Sequence, residues 1–555
     1  MKDGYVIGVD FGSDSVRCVI VDITNGATCA EAESGYSRWL DKKYQDPEKR
    51  LFRQHPLDYL ESLKRCIKTA LDQAGTTVRK KILSISVDTT GSTPCPVDKE
   101  GTPLALLPEF SENVNAMFYL WKDHTAIEEA EQINKALSNF QGIDYTKYQG
   151  TYASEWFWAK ILHAKNVDTD VTKATYTWVE HCDWIPAILT GNSNPDKLYR
   201  CACAAGHKAL WHSEWNGLPD RRCLAGIDPF LGRIYDTYVN KPQPADQIVG
   251  TITREWADAL GVPESTVIGG SSLDAHAGAV GAGIRKRVMV VNIGTSTVNM
   301  LVEDAESLEG KDLTHACGQA ENSILPGYVG IETSQAAFGD VYAWLRDFLM
   351  WPIENIIMDS PALSRAEKGR IRRQVHQKIL DELARQAETL EIEDAIVALD
   401  WFNGRRYPNT NESLTSAIAG ISLSTDAPAF YQALVMATVF GQKKILDSLT
   451  VEGVEIDEMI AVGGIAQKSP YIMQMMADIL NCPIKVSKTT QACARGAAIY
   501  AAVACGAFET IMDAQEKLCE DFIRTYDPSP EKAKQTILLY KKYLSLGDFI
   551  ENKRR

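Results

Sequence analysis

Short apolar runs that end in a glycine and hydroxyl side chains occur twice along the chain, half a chain apart. The first run, residues 6–10, is followed by Gly12, Ser13 and Ser15; the second, residues 288–292, is followed by Gly294, Thr295 and Ser296. After each turn, alternating apolar and polar positions resume, which is the pattern of a β-hairpin. Glycine permits positive φ at such a turn, and hydroxyls with backbone N–H groups can surround a phosphate. The repeat predicts two related domains that each offer a phosphate-binding turn to a shared cleft.

The rest of the pattern predicts strands and helices on both sides of the second hairpin. Residues 82–88 and 459–462 are short apolar runs typical of buried strands. Residues 126–137 and 469–480 carry apolar side chains at helical spacing. A run of small side chains at 496–508 predicts a closely packed helix that is too short to span a membrane.

Residues 364–393 form a charge-rich segment with a single apolar stripe. The stripe consists of Ile371, Val375, Ile379 and Leu383. This spacing favours an amphipathic helix on the protein surface, and binding of a partner to that helix is the alternative.

The length and composition indicate a folded protein of two large domains. The chain has 555 residues, of which 45% are apolar and 24% are charged, as in ordinary globular proteins. No low-complexity linker separates the halves, so the boundary is placed just before the second hairpin. The predicted domains are residues 1–284 and 285–555.

The charge and the cysteines exclude several classes of protein. A net charge of −15 argues against nucleic acid or an anionic membrane as the main partner. No apolar run reaches the roughly 18 residues of a spanning helix, and the first residues lack the apolar core of a signal peptide. The thirteen cysteines are scattered without a C-x-x-C motif, and the nine histidines form no H-E-x-x-H motif. We therefore expect reduced thiols, no structural metal and a cytoplasmic location.

Two familiar phosphate motifs do not apply to this sequence. Residues 10–12 spell the D-F-G of protein kinases, but no H-R-D precedes them. The motifs G-x-x-x-x-G-K-[ST] and G-x-G-x-x-G are absent. Asp10 ends the first apolar run, and a carboxylate can approach phosphates only through a hard cation. We therefore expect Asp10 to hold Mg²⁺, through water, with a turn-capping role as the alternative.

Asp274 is the strongest candidate for a catalytic side chain. It lies in a segment of glycine and alanine, residues 269–283, where a substrate can approach the backbone closely. A carboxylate in such a place could accept the proton of a hydroxyl that attacks a γ-phosphoryl group. The alternative is a helix N-cap, and the residue types alone leave the two interpretations equal.

A second set of residues suits the recognition of a polyol. Residues 88–98 follow a strand and are rich in hydroxyl side chains. Further along, an aromatic ring, a cation, an anion and an imidazole are adjacent in Trp121, Lys122, Asp123 and His124. Polyols need fixed hydrogen-bond partners and an aromatic wall, although an ordinary turn and an ordinary helix start remain alternatives. The aromatic run at residues 156–158 is interpreted as packing.

Ten segments of the chain together resemble the FGGY carbohydrate kinases of the sugar kinase/actin/Hsp70 superfamily. They are residues 8–17, 88–94, 115–125, 154–160, 205–212, 274–283, 292–296, 330–335, 399–408 and 463–468. The Ser-Thr-Pro, Trp-Lys-Asp-His and Gly-His-Lys stretches within them are most similar to members that phosphorylate L-ribulose, rather than xylulose or glycerol.

The resemblance implies an α/β fold in which two RNase H-like (actin-like ATPase) domains flank a nucleotide cleft that takes ATP and Mg²⁺. It places Asp10 on the metal side and Asp274 at the general base. The implied ATP contacts are Gly12, Ser13, Ser15, Gly294, Thr295, Ser296, Asn403, Gly463 and Gly464. The candidate substrate contacts are Cys95, Trp121, Asp123, Lys208, Asp274 and Glu332. A smaller residue such as alanine is common in the family at the position of Cys95, which leaves the detailed shape of the sugar pocket open.

The implied reaction is phosphorylation of L-ribulose at its C5 hydroxyl during L-arabinose catabolism. A kinase for another ketose, such as D-xylulose or D-ribulose, is the nearest alternative. A chaperone-like ATPase is a more distant one, because the two hairpins alone permit it. The resemblance also makes a homodimer possible.

Overall fold

The computed structural model describes residues 3–314, 317–393 and 395–553, and its longer strands form two separate sheets. The strands of the N-terminal sheet are β1 (Tyr5–Phe11), β2 (Ser15–Asp22), β3 (Thr28–Gly35), β4 (Ile82–Thr89), β5 (Ile248–Thr251) and β6 (Val267–Leu273). They lie in the order β5-β6-β4-β1-β2-β3. Strands β1, β4 and β6 are parallel to one another. Strand β2 is antiparallel to β1, β3 is antiparallel to β2, and β5 is antiparallel to β6.

The C-terminal sheet repeats this arrangement. Its strands are β7 (Val288–Ile293), β8 (Thr297–Glu303), β9 (Gly318–Glu321), β10 (Val329–Gln335), β11 (Glu458–Val462), β12 (Ile484–Ser487) and β13 (Phe522–Tyr526). They lie in the order β9-β10-β8-β7-β11-β12-β13. The succession β10-β8-β7-β11-β12 matches β3-β2-β1-β4-β6 in order and direction. The predicted repeat and the two RNase H-like domains are therefore confirmed.

Helices pack on both sheets. Those of eight or more residues are α1 (Pro56–Ala74), α2 (Ile127–Leu137), α3 (Phe157–Val167), α4 (His181–Thr190), α5 (Ala202–Ala209), α6 (Pro229–Asp236), α7 (Asp274–Gly281), α8 (Gly339–Leu349), α9 (Arg365–Ala387), α10 (Ala427–Val451), α11 (Pro470–Leu480), α12 (Ala492–Ala504), α13 (Ile511–Leu518) and α14 (Pro530–Asn552). Shorter strands form one group of three and two pairs: Gln45–Asp46, Leu51–Gln54 and Phe118–Tyr119; Pro94–Val97 and Thr177–Glu180; Val397–Ala398 and Ile418–Ala419.

Each sheet has its own core, and a third cluster joins the two halves. This cluster combines side chains of β1 and β2 with those of β7, β8 and β11. Helix α12, although it belongs to the C-terminal half, packs on the N-terminal sheet and crosses α7 at very close range. A methyl group on Gly496 would lie 1.8 Å from the carbonyl oxygen of Ala277, so only glycine permits this contact. The small-residue helix predicted at residues 496–508 is α12, which spans Ala492–Ala504. It ends earlier than predicted, and Gly506, with φ of +68°, follows its end.

Three other expectations can be compared with the structure. Helix α9 turns its predicted stripe inward, with Ile371, Val375 and Ile379 half-buried and Leu383 buried, which confirms the amphipathic interpretation. All thirteen cysteines are free. Within the described ranges, no helix combines the length and hydrophobicity needed to cross a bilayer.

Candidate active site

Three carboxylates meet at the carboxyl end of the N-terminal sheet. Asp10 is the last residue but one of β1, and Asp88 is its register partner on the parallel strand β4. Asp274 follows β6 directly and begins α7. Because parallel strands end at the same edge, residues distant in sequence converge here, which is where open α/β sheets bind ligands.

Asp10 and Asp88 form a closely facing pair. Asp10 is only 3% exposed and Asp88 is fully buried. Burial raises the pKa of both carboxyls, and the negative charges of Asp10 and Asp274 raise the pKa of Asp88 further. Arg17 donates a hydrogen bond to Asp10 Oδ2 (3.1 Å) and opposes the shift at Asp10. Asp10 Oδ1 and both carboxylate oxygens of Asp88 are buried and accept no hydrogen bond from the described residues.

These orphaned oxygens fit a hard divalent cation. Ligand atoms of Asp10, Asp88 and Cys493 lie within 4.8 Å of one another. Mg²⁺ is usually held by one or two carboxylates together with water and phosphate oxygens, so the two aspartates supply a suitable donor set and the thiol does not.

Asp274 has the environment of a base. It accepts a hydrogen bond from the N–H of Ala275 (2.7 Å) and is partly exposed to the cleft. Loss of water raises its pKa to about 7, and the negative charges of Asp10 and Glu332 act in the same direction. A carboxyl with this pKa can accept a proton near neutral pH.

A charged network lies beside Asp274. Lys208, on α5, is 3.4 Å from Glu332 Oε1, and His276 Nε2 is 3.0 Å from Glu332 Oε2. Burial alone would raise the pKa of Glu332, but Lys208 and His276 hold it well below its usual range. Glu332 is on β10, so this network connects the two halves.

A cavity of about 230 Å³ brings these groups together. The N-terminal half contributes Gly91, Trp121, Glu155, Lys208, Leu273, Asp274, Ala275 and His276, and the C-terminal half contributes Asn292, Gly294, Thr295, Ser296, Val298, Glu332 and Arg406. A second cavity, of about 360 Å³, adjoins it through Ala275 and Asn292. The second cavity is lined by Gly463, Gly464, Gln467 and Lys468 at the end of β11.

The comparisons with known proteins agree with this architecture. Residues 5–281 match the model for the N-terminal domain of the FGGY family of carbohydrate kinases, and residues 289–505 match the model for its C-terminal domain. A ribulokinase of Vibrio parahaemolyticus is 42% identical over 99% of this chain and 96% of its own length. A ribulokinase of Shouchella clausii is 34% identical over 98% and 95%.

The chain belongs to the FGGY family of carbohydrate kinases. Solved structures share its fold: a xylulose kinase of Rhodospirillum rubrum superimposes with a TM-score of 0.80 at 19% identity, covering 99% of both chains. A glycerol kinase of Plasmodium falciparum, solved with ADP, gives a TM-score of 0.75 at 16% identity, covering 98% of both chains. This chain is therefore a carbohydrate kinase.

In this FGGY kinase the residues of the first hairpin turn, Gly12, Ser13 and Ser15, do not line the first cavity. Ser13 Oγ accepts a hydrogen bond from Trp121 Nε1 (2.9 Å), so the turn supports a cavity residue. The Gly12 carbonyl accepts a bond from Tyr36 (3.1 Å). The Ser15 hydroxyl donates a hydrogen bond to Glu33 (2.6 Å), so its hydrogen is already engaged within the protein. The roles of these residues toward ATP stay predictions.

The second hairpin turn and the glycine pair lie in the cavity walls. Gly294, Thr295 and Ser296 line the first cavity, and Gly463 and Gly464 line the second. Gly463 has φ of +106°, and a methyl group there would lie 2.4 Å from the carbonyl oxygen of Ile293. This glycine therefore sets the close approach between β11 and the second hairpin.

Among the remaining candidate residues, Asp10, Cys95, Asp123 and Asn403 line neither cavity. Cys95 is fully buried in the core of the N-terminal half. Asp123 is also fully buried, pairs with Arg53 and accepts hydrogen bonds from Phe52 N (2.7 Å) and Thr125. Asn403 is exposed and lines neither cavity. These positions favour structural roles for Cys95 and Asp123, and no contact tests the assignments of Cys95, Asp123 and Asn403.

The structure adds four residues that sequence reasoning did not assign. Asp88 completes the carboxylate pair, and His276, Glu155 and Arg406 line the first cavity. Asp88, His276 and Arg406 lie within segments that carry the family resemblance, as does Glu155, but nothing local distinguishes them from their neighbours. Only the pairing of β1 with β4 and the meeting of the halves reveal them.

Proposed function

We propose that this kinase transfers the γ-phosphoryl group of ATP to the C5 hydroxyl of L-ribulose, giving the L-ribulose 5-phosphate of L-arabinose catabolism. The observation that carries the proposal is the first cavity, of about 230 Å³, which we call the sugar-side cavity. There Asp274, with a pKa of about 7, lies beside the Lys208–Glu332 pair and the turn at Gly294. The ribulokinase names of the relatives support this choice among ketopentoses.

The carboxylate of Asp274 accepts the proton of the acceptor hydroxyl. As that oxygen forms its bond to the γ-phosphorus, the bond from phosphorus to the β–γ bridging oxygen breaks, and ADP leaves with the electron pair. General-base assistance of this kind accounts for roughly 10²–10⁴-fold of the rate. Most of the remaining acceleration comes from positioning and electrostatics.

Lys208 and Glu332 hold the sugar hydroxyls. The ammonium group donates hydrogen bonds, and the carboxylate accepts them while His276 keeps it ionised and oriented. Trp121, fixed by its bond to Ser13, offers an aromatic wall for the C–H face of the sugar.

Asp10 and Asp88, which lie at the same edge of the N-terminal sheet as Asp274, would hold Mg²⁺ through bound water. Their buried oxygens without hydrogen bonds match that role. The cation supplies neutralisation of the phosphate charge and orientation of the phosphate chain. Arg17 keeps the Asp10 carboxylate in place through its bond of 3.1 Å.

A panel of acceptors tests the substrate. ADP release is measured with L-ribulose, D-ribulose, D-xylulose, glycerol and no sugar, each at a range of concentrations. We expect the highest kcat/KM with L-ribulose and almost no release without sugar. A clear preference for D-xylulose or D-ribulose would reassign the substrate, and release that ignores the sugar would refute the proposal.

Asp274→Asn tests the base. The amide keeps the size of the side chain but cannot accept the proton, so kcat should fall by roughly 10²–10⁴-fold while ATP binding is retained. Stopped assays measure turnover, and calorimetric titration measures ATP affinity. Near-normal turnover in this variant would rule out Asp274 as the base.

A further inference from the structure

Arg406 lines the sugar-side cavity without an acidic partner. It belongs to the C-terminal half and follows Arg405 directly. Arg405 forms a two-pronged ion pair with Glu551, both distances being 3.0 Å, and its guanidinium lies over the ring of Trp401. Arg406 forms no ion pair with any residue in the described part of the chain. The two adjacent arginines therefore differ: Arg405 is held by an ion pair within the C-terminal half, and Arg406 lines the cavity.

The other cations near the three carboxylates are already engaged. Arg17 contacts Asp10 at 3.1 Å and Glu33 at 3.3 Å. Lys208 contacts Glu332 at 3.4 Å and lies over the ring of Trp156. Two residues with a guanidinium or ammonium group, Lys208 and Arg406, are among the described residues that line this cavity. Lys208 has a carboxylate partner, and Arg406 has none in the part of the chain that the structure describes.

The same cavity holds three carboxylates near the reacting position, together with Lys208, His276 and Arg406. Asp274, Glu155 and Glu332 all line it, and Glu155 Oε2 is buried without a hydrogen bond from the described residues. His124 lies 3.7 Å from Glu155, and Glu155 and Arg406 line the same cavity. A phosphoryl group brought to Asp274 adds more negative charge, which an unengaged cation at this place would offset.

We propose that Arg406 is a catalytic residue that donates hydrogen bonds to the oxygens of the transferring phosphoryl group. This inference rests on the proposed phosphoryl transfer but not on the identity of the sugar. A guanidinium suits the task because its planar fork of donors matches the equatorial oxygens, over which charge spreads in the transition state. Asp274 belongs to one half and Arg406 to the other, so base and phosphoryl-binding group meet only where both halves line the cavity.

Arg406→Gln and Arg405→Gln form a matched pair of neighbouring variants. We expect Arg406→Gln to lower kcat by roughly 10²–10³-fold with less than a few-fold change in the KM of the sugar. Added guanidinium chloride, at concentrations that leave the fold intact, should restore part of that activity. Arg405→Gln should lower the unfolding temperature through loss of the Glu551 pair, and guanidinium should not increase its turnover.

A binding measurement separates this inference from the choice of sugar. Affinity for MgADP is measured with and without aluminium fluoride, which imitates the transferring group. Arg406→Gln should lose most of the gain in affinity that aluminium fluoride gives to the unaltered protein, and Arg405→Gln should keep it. If no ketopentose is phosphorylated, the sugar assignment fails while this measurement still decides the role of Arg406.

Three results would overturn the proposal. An equal gain in affinity with aluminium fluoride in Arg406→Gln would show that Arg406 does not contact the phosphoryl group. A higher KM for the sugar with unchanged kcat would make Arg406 a sugar-binding residue. If Glu155→Gln produced the same loss and the double variant lost no more, the two side chains would act as an ion pair that closes the cleft.

Discussion

The three aspartates at the end of the N-terminal sheet differ because their surroundings differ. Asp10 and Asp88 face each other, with buried oxygens that accept no hydrogen bond from the described residues. Asp274 has the Ala275 N–H as a donor and access to the cleft. The surroundings of Asp10 and Asp88 therefore suit a bound cation, and those of Asp274 suit proton transfer.

The pKa of Asp274 predicts the pH dependence of the reaction. Its base form is required, and its pKa is raised to about 7, so kcat/KM should fall as the pH drops below about 7. Glu332→Gln removes a negative charge that helps to raise this pKa, and the acid limb of the profile should then move to lower pH. Both profiles are measured by initial rates between pH 5 and 9. An acid limb that stays near pH 4, as for an ordinary aspartate, would contradict the assignment.

At the scale of elements, Gly463 holds the turn after β11 close to the second hairpin of the C-terminal sheet. Gly463→Ala should destabilise the protein by about 1–3 kcal/mol, because its φ is +106° and its methyl group would meet the Ile293 carbonyl at 2.4 Å. Gly464→Ala is the control, since no atom lies within 4 Å of a methyl group at that position. Urea denaturation measures both variants, and equal stabilities would contradict this account.

The sequence reveals these elements better than it reveals the site they form. Glycine turns and alternating strands are local signals, so both hairpins and the inward stripe of α9 can be predicted. Asp88 lies opposite Asp10 only because β4 pairs with β1, and these two strands are far apart in the sequence. No local sequence pattern predicts this pairing. The residue types at 121–124 suggest Asp123 as a sugar contact, but its carboxylate already accepts a hydrogen bond from the Phe52 N–H and pairs with Arg53.

At the scale of the whole molecule, α7 and α12 join the halves through glycine. Gly496→Ala should separate these helices, because the added methyl group would lie 1.8 Å from the Ala277 carbonyl. We expect a loss of about 1–3 kcal/mol or more in stability and a lower kcat, since α7 begins with Asp274. Calorimetry and turnover assays measure the two effects.

Gly369→Ala provides the control for this contact. Gly369 lies in α9, where the nearest atom to an added methyl group is the end of the Arg373 side chain at 3.6 Å. Alanine is the better helix former, so this variant should gain roughly 0.5–1 kcal/mol. If Gly496→Ala kept the stability and the kcat of the original protein, the crossing of α7 and α12 could accommodate the added methyl group without cost.

The position of α12 on the N-terminal sheet also has a consequence for biosynthesis. A ribosome that has finished the first half must still add roughly 220 residues before α12 is complete, which takes about 10–40 s at roughly 5–20 residues per second. During that interval the face of β1 and β4 that α12 covers remains open. The emerging chain should therefore be a client of chaperones until translation nears its end, and a polypeptide that stops at residue 284 should aggregate rather than fold.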